Sequence, residues 1–464
     1  MGAFDRRLFK SLVPCFIGSM LLFSSIVSAS EGEGQWPMLN SDPAHTGVSK
    51  YNVSTYPPRV LWKVEPLGSI AVGDFGGMDA ISISSSRPVI GPDGNIIVVQ
   101  HSGNISAVDP DGEIVWRSNI PGHINRCTPA IGADGTIYLG AMTVPAKGLS
   151  VLAISKDGTL MWDHELNDTW NTPQSISIDH DGTLYCTCTS FFLNRSNPLD
   201  FRFIKEGIVF ALNPSGMMLW SSHIPSPPLS SPALANDGSI YVHAYDGLYA
   251  FARNGSQRWA IPLEEDTFPK HSEVVTTQNS SAVLVHNETL LSVSSDGNIE
   301  WQSEGHFGSW FLDTPLAYYE HTLIIVDGQG QGISFYTENG TLRGNFSSMD
   351  FFGVPKAAVS NNGLIIVFNG PALIAFGIDG QEVWRIETGF LTVVSAGQDS
   401  PIIGEDGRIY LLINEGTDYM SLVAYGENAT ILDGGPWSVY LLPLIVVLMA
   451  ITVWLATRKK GKRT

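Results

Sequence analysis

A short phrase, Ala-x4-Gly-x3-Trp, recurs down this chain at intervals of roughly forty to sixty residues. Copies run Ala107…Gly112…Trp116, Ala153…Gly158…Trp162, Ala211…Gly216…Trp220, Ala250…Gly255…Trp259, Ser292…Gly297…Trp301 and Ala375…Gly380…Trp384. A period of this length means a solenoid, a propeller or an array. Each copy follows a run such as Gly135-Thr136-Ile137-Tyr138-Leu139, rich in β-branched and aromatic residues, which reads as a strand. Asp-Gly pairs (Asp93-Gly94, Asp134-Gly135, Asp157-Gly158, Asp237-Gly238, Asp296-Gly297, Asp379-Gly380) punctuate the runs. They supply the positive φ that tight hairpin turns need. Each unit therefore holds about four strands, with no long helical pattern between them.

Four-stranded units repeated around an axis make a β-propeller. The small Ala near each turn leaves room for a large neighbour, and Trp62, Trp116, Trp162, Trp220, Trp259, Trp301 and Trp384 are expected to bury their rings between adjacent blades and dock one on the next. A sixth unit keeps Asn339-Gly340 but has no Trp, and an eighth runs from Pro401 through Ile409-Tyr410-Leu411. The expectation is an all-β, eight-bladed propeller over 61–433, with seven blades as the alternative if the sixth unit is a linker. The strand at Trp62 is expected to pair with the last blade and close the ring, which removes exposed sheet edges.

These motifs resemble the pyrroloquinoline-quinone-like (PQQ-like) repeat family. The family's Ala-x-Asp-x-x-x-Gly-x-x-x-Trp motif is present one residue shorter, as Ala107-Val108-Asp109 to Trp116. The lead-in segment 31–60, with Trp36-Pro37-Met38 and His45-Thr46-Gly47, is also similar to the opening of many members. The resemblance implies the fold. It leaves function open, because the family holds both quinone-dependent dehydrogenases and cofactor-free envelope assembly proteins.

The ends of the chain carry targeting signals. Residues 1–30 read as a signal peptide: Arg6, Arg7 and Lys10, then an apolar run, then Ser28-Ala29-Ser30. Residues 437–457 carry no charge and match the ~20 residues that cross a bilayer core. Trp437, Tyr440 and Trp454 sit near the ends of that stretch, and five cations follow in the tail 458–464. The expected topology is single-pass in the plasma membrane, with the propeller outside and the basic tail in the cytoplasm.

Ten Asn-x-Ser/Thr sequons fall at Asn52, Asn104, Asn167, Asn194, Asn254, Asn279, Asn287, Asn339, Asn345 and Asn428. They suit a glycosylated surface of archaeal or eukaryotic type, although Asn- and Ser-rich turns also create sequons by composition. The chain carries −19; the signal holds +2 and the tail +5, so the ectodomain carries −26. Such a surface argues against nucleic acid as a partner. Only Cys127, Cys186 and Cys188 follow the signal. They read as buried small hydrophobes, with a strained Cys186–Cys188 bridge or a soft metal site as alternatives.

Ligand binding is expected at the mouth of the channel, on the loops that lead into the innermost strands. The candidates are Asp74, Asp79, Arg126, Trp170, Asn171, His271, Trp310, Asp313, Lys356 and Asp399. Arg126 could pair an anion, and Trp170 or Trp310 could stack a planar group. No Gly-x-Ser-x-Gly elbow, His-Glu-x-x-His zinc motif or EF-hand spacing appears. The expected function is thus a surface-anchored binding or scaffold module for envelope proteins or glycans, without a cofactor, a metal site or catalytic residues. The alternative is a membrane-anchored quinoprotein oxidoreductase using pyrroloquinoline quinone and calcium. The vicinal Cys-Cys ring of many quinone-dependent alcohol dehydrogenases is absent here.

Overall fold

The computed structural model describes residues 35–427, except 65–71, 76–77, 82–85, 101, 121–123, 125–126, 144–147, 167–171, 191–205, 265–271, 305–315, 328–331, 347–355, 389–399 and 415–419. Within these residues, eight antiparallel sheets follow one another as the blades of a β-propeller. Blade 1 is built from strands Val89–Ile90, Ile96–Val99, Asn104–Val108 and Ile114–Asn119, in that order from the channel outwards. Blades 2 to 7 repeat the order. In blade 3 the inner strand is split into Thr172–Pro173 and Ser177–Ile178. The sixth repeat unit is a complete four-stranded blade, so the seven-bladed alternative is set aside.

Blade 8 is built from both ends of the propeller. Strands Ile402–Ile403, Ile409–Asn414 and Met420–Gly426 come late in the chain, and Arg59–Val64 supplies the outer strand. Trp62 lies opposite Ala424 in that pairing. This closes the ring as the sequence predicts.

The repeated phrase works as one device. The indole N–H of Trp116 donates to the Lys156 carbonyl of the next blade at 2.7 Å. Trp62, Trp162, Trp220, Trp259 and Trp301 make the same bond to Pro110, Pro214, Arg253, Ser295 and Glu338. Each acceptor stands two residues before a turn Gly, and the indole covers that Gly. A Cβ at Gly255 would come within 2.4 Å of the Trp220 ring. Gly255 also has φ +84°, which disfavours any other residue. Within its own blade each Trp faces the small residue of the repeat, as Trp220 faces Ala211, and the register shifts just after it.

Two positions depart from the pattern. Gly344 stands where blade 6 lacks its Trp, and Phe346 covers Gly380 instead. Trp384 finds no turn Gly; its N–H donates to the Ser54 carbonyl of the lead-in at 3.0 Å.

The cores lie within and between blades. Alternation is lost on the middle strands, which are buried on both faces; Ile240–Ala244 is buried throughout. Outer strands such as Leu160–Glu165 alternate exposed and half-buried. Cys127, Cys186 and Cys188 are free and buried, the last two among Leu184, Ile208 and Phe210. No Cys186–Cys188 bridge forms.

Candidate functional site

The lead-in forms one end of the site. From Gln35 to Val53 it winds around the inside of the ring on the side of the Asp-Gly turns and bonds to blade after blade. The Trp36 N–H donates to Ile90 O of blade 1 at 3.2 Å, and Ile131 N–H of blade 2 donates to Pro37 O at 2.8 Å. Amides of Leu234, Thr276, Tyr318 and Val359, in blades 4 to 7, donate to the carbonyls of Pro43, Ala44, Thr46 and Gly47. The Ser49 hydroxyl reaches Ile403 O of blade 8 at 3.2 Å. Blade 3 is met through His45, whose Nε2 lies 3.1 Å from the Ser177 hydroxyl.

His45 is fully buried, and its Nδ1 donates to Val274 O at 3.2 Å. Burial pushes its pKa down to about 4, a carbonyl bond opposes that, and Arg87 adds to it. The imidazole is therefore neutral at ordinary pH and acts as a structural peg. The spacing of Trp36-Pro37 to Gly47 had suggested a lead-in only. Its path was hidden because most of its bonds run backbone to backbone.

A cleft of about 610 Å³ opens on the turn side between the lead-in and blades 2 and 3, lined in part by Met38, Tyr138 and Ile178. Its carboxylates serve the turns. Asp42 accepts the Thr46 N–H at 3.0 Å and the Thr46 hydroxyl. Asp134 accepts the Thr136 N–H at 3.0 Å. Asp179 accepts the His180 N–H at 2.7 Å and pairs with Arg253 at 2.9 Å. Burial raises the pKa of Asp42 against these bonds.

The other end of the channel is where the sequence placed the ligand. Strands leave the sheets there for the next blade, away from the Asp-Gly turns. Asp74 and Asp79 are in register across a two-stranded hairpin, Val72–Phe75 with Met78–Ile81. Lys356 opens the inner strand of blade 7. Arg126, Trp170, Asn171, His271, Trp310, Asp313 and Asp399 lie outside the described residues. Among the described residues, no three His, Cys, Asp or Glu side chains converge on a cation-sized site. Cys186 and Cys188 are buried rather than presented to a ligand.

The family model described as outer membrane protein assembly factor BamB, PQQ_2, matches residues 47–200 and 205–410. The chain belongs to this family. Membership of PQQ_2 accounts for the repeat and for the docking Trp residues. Among solved structures the chain is similar to BamB from Moraxella catarrhalis, at 13% identity and TM-score 0.54, over 81% of this chain and 99% of that one. It is also similar to the quinohemoprotein alcohol dehydrogenase ADHIIG from Pseudomonas putida HK5, at 10% identity and TM-score 0.60, over 89% and 83%. The WD40 domain of Sif2 aligns at 10% identity and TM-score 0.52, over 82% and 100%. At these identities the likeness shows the fold alone. No curated protein matches the chain.

Proposed function

We propose that this PQQ_2 propeller is a glycosylated, membrane-anchored surface module that binds an envelope protein or glycan at its open channel mouth and carries out no chemistry. The lead-in carries this reading. It lines the turn side of the ring with bonds to every blade, so a partner enters from the other side.

The path of the chain supports the same orientation. The last described strand, Met420–Gly426, runs towards the turn side and ends beside Asp406 and Gly407. Ten residue-to-residue steps separate Glu427 from Trp437. They span at most about 35 Å at ~3.3–3.6 Å each. With residues 437–457 as the anchor, the turn side is held near the bilayer and the mouth points away from it. No helix among the described residues is long and apolar enough to cross a membrane, and 437–457 lies outside them. The signal peptide 1–30 and the basic tail 458–464 lie outside them too.

Site-specific photo-crosslinking from the full-length chain in its own membranes tests the reading. A crosslinker at Ser102 or Glu288, on the mouth side, is expected to capture one discrete partner. One at Asp157 or Asp296, on the turn side, is expected to capture none. Equal capture from both sides, or release of the chain by alkaline carbonate, would overturn it.

A further inference from the structure

Two buried histidines bridge blades 4 and 5. His243 sits in strand Ile240–Ala244 and His286 ends strand Ala282–His286; they are 1% and 8% exposed. The rings meet edge to face, 5.2 Å between centres and 81° between planes. His243 Nε2 lies 3.0 Å from His286 Nδ1. The outer nitrogens meet backbone oxygens. His243 Nδ1 is 3.2 Å from Ser272 O, and His286 Nε2 is 2.8 Å from Glu264 O.

A proton count follows from these contacts. Carbonyl oxygens only accept, so both outer nitrogens must carry hydrogen. The contact between the rings needs one more. Three hydrogens must therefore sit on four ring nitrogens, whereas two neutral imidazoles bring two. With only two, one buried contact sets lone pair against lone pair, and an unmade bond in such a place is costly. Glu264 O is already shared with Asn287 Nδ2 at 2.9 Å, which fixes its position.

We propose that His243 and His286 together bind one extra proton in the folded chain, and that this proton ties both ends of the connection 264–272 to the blades. Glu264 and Ser272 are the residues on either side of 265–271. The ionisable side chains on the segments that hold the pair are Asp246, Glu264, Glu273, Glu288 and the neutral His45. Lys270 and His271, in the connection itself, lie outside the described residues.

Above the ordinary histidine pKa of about 6.5 the folded pair holds one proton that the unfolded chain does not, so in that range its stabilisation fades as pH rises. Below it, two unfolded imidazoles bind a proton each against one on the folded pair, and the balance turns the other way.

The test uses the full-length chain with 15N-labelled histidine, read by NMR between about pH 5 and 8. One ring is expected to show both nitrogens protonated, with that signal gone in His286→Gln. Unfolding the parent by urea above about pH 6.5, at a pH where the ring is still charged, should release about one proton more than unfolding His286→Gln. Two neutral rings at every pH at which the chain is folded would overturn the proposal. The spectrum of the parent decides alone if the variant fails to fold.

Discussion

The ring of Phe346 lies on Gly380, so close that a Cβ at that glycine would come within 2.1 Å of it. It fills the place that an indole takes at Gly112, Gly158, Gly216, Gly255, Gly297 and Gly340. The seam between blades 6 and 7 therefore rests on a phenyl ring that makes no hydrogen bond across it.

Phe346→Ala is expected to open this seam and lower stability by about 2–3 kcal/mol, below the full range for a buried Phe because the ring is half-exposed. Urea midpoints of parent and variant check it. Asp157→Ala, on an exposed turn of blade 2, is the control and should shift the midpoint little.

Acid should loosen the lead-in. The His45 pKa is held down to about 4 in the folded chain, against 6.5 unfolded. Its contribution is complete above about pH 6.5 and is lost as pH falls towards 4, on the order of 3 kcal/mol in total. Denaturation across this window should show a slope that His45→Gln flattens. An unchanged slope would remove His45 from the acid response.

Glycan occupancy should follow exposure. Asn52, Asn104, Asn254, Asn279, Asn339 and Asn345 are exposed. Asn287 is half-buried, with its Nδ2 donating to Glu264 O at 2.9 Å. Peptide mapping of native material should find glycan on the first group and a bare Asn287. Asn167, Asn194 and Asn428 lie outside the described residues.

The thiols should be silent in the native chain. Burial pushes the Cys127 pKa up to about 12 and those of Cys186 and Cys188 well above the usual value. A thiol reagent at neutral pH should label none of the three until denaturant is added, since the thiolate is the reactive form. Rapid native labelling of Cys186 or Cys188 would contradict the packing.

The blades were legible because every part of their docking device is local. Ala107, Gly112 and Trp116 stand on one hairpin, and the turn demands a Gly that other residues cannot replace. Phe346 escaped notice because it stands two residues past the expected Trp position, and the tight register of the strand hides that shift in the sequence. The lead-in escaped because Pro37, Pro43 and Gly47 act through carbonyls, which every residue has. The channel mouth was named from the loops preceding the inner strands. Of its candidates the structure places Asp74, Asp79 and Lys356, and only in their strands. The His243–His286 pair could have been suspected from two His in equivalent middle strands, though only three dimensions show them touching.

Ring closure also dictates the order of events during synthesis. Arg59 pairs with Gly426, so an early strand waits for nearly the last one to be made. Loop closure over such a distance is slow, and blades formed meanwhile leave raw strand edges at both ends of the growing arc. The nascent chain is therefore most prone to aggregation just before the eighth blade emerges, and a chaperone would be needed there rather than at the start.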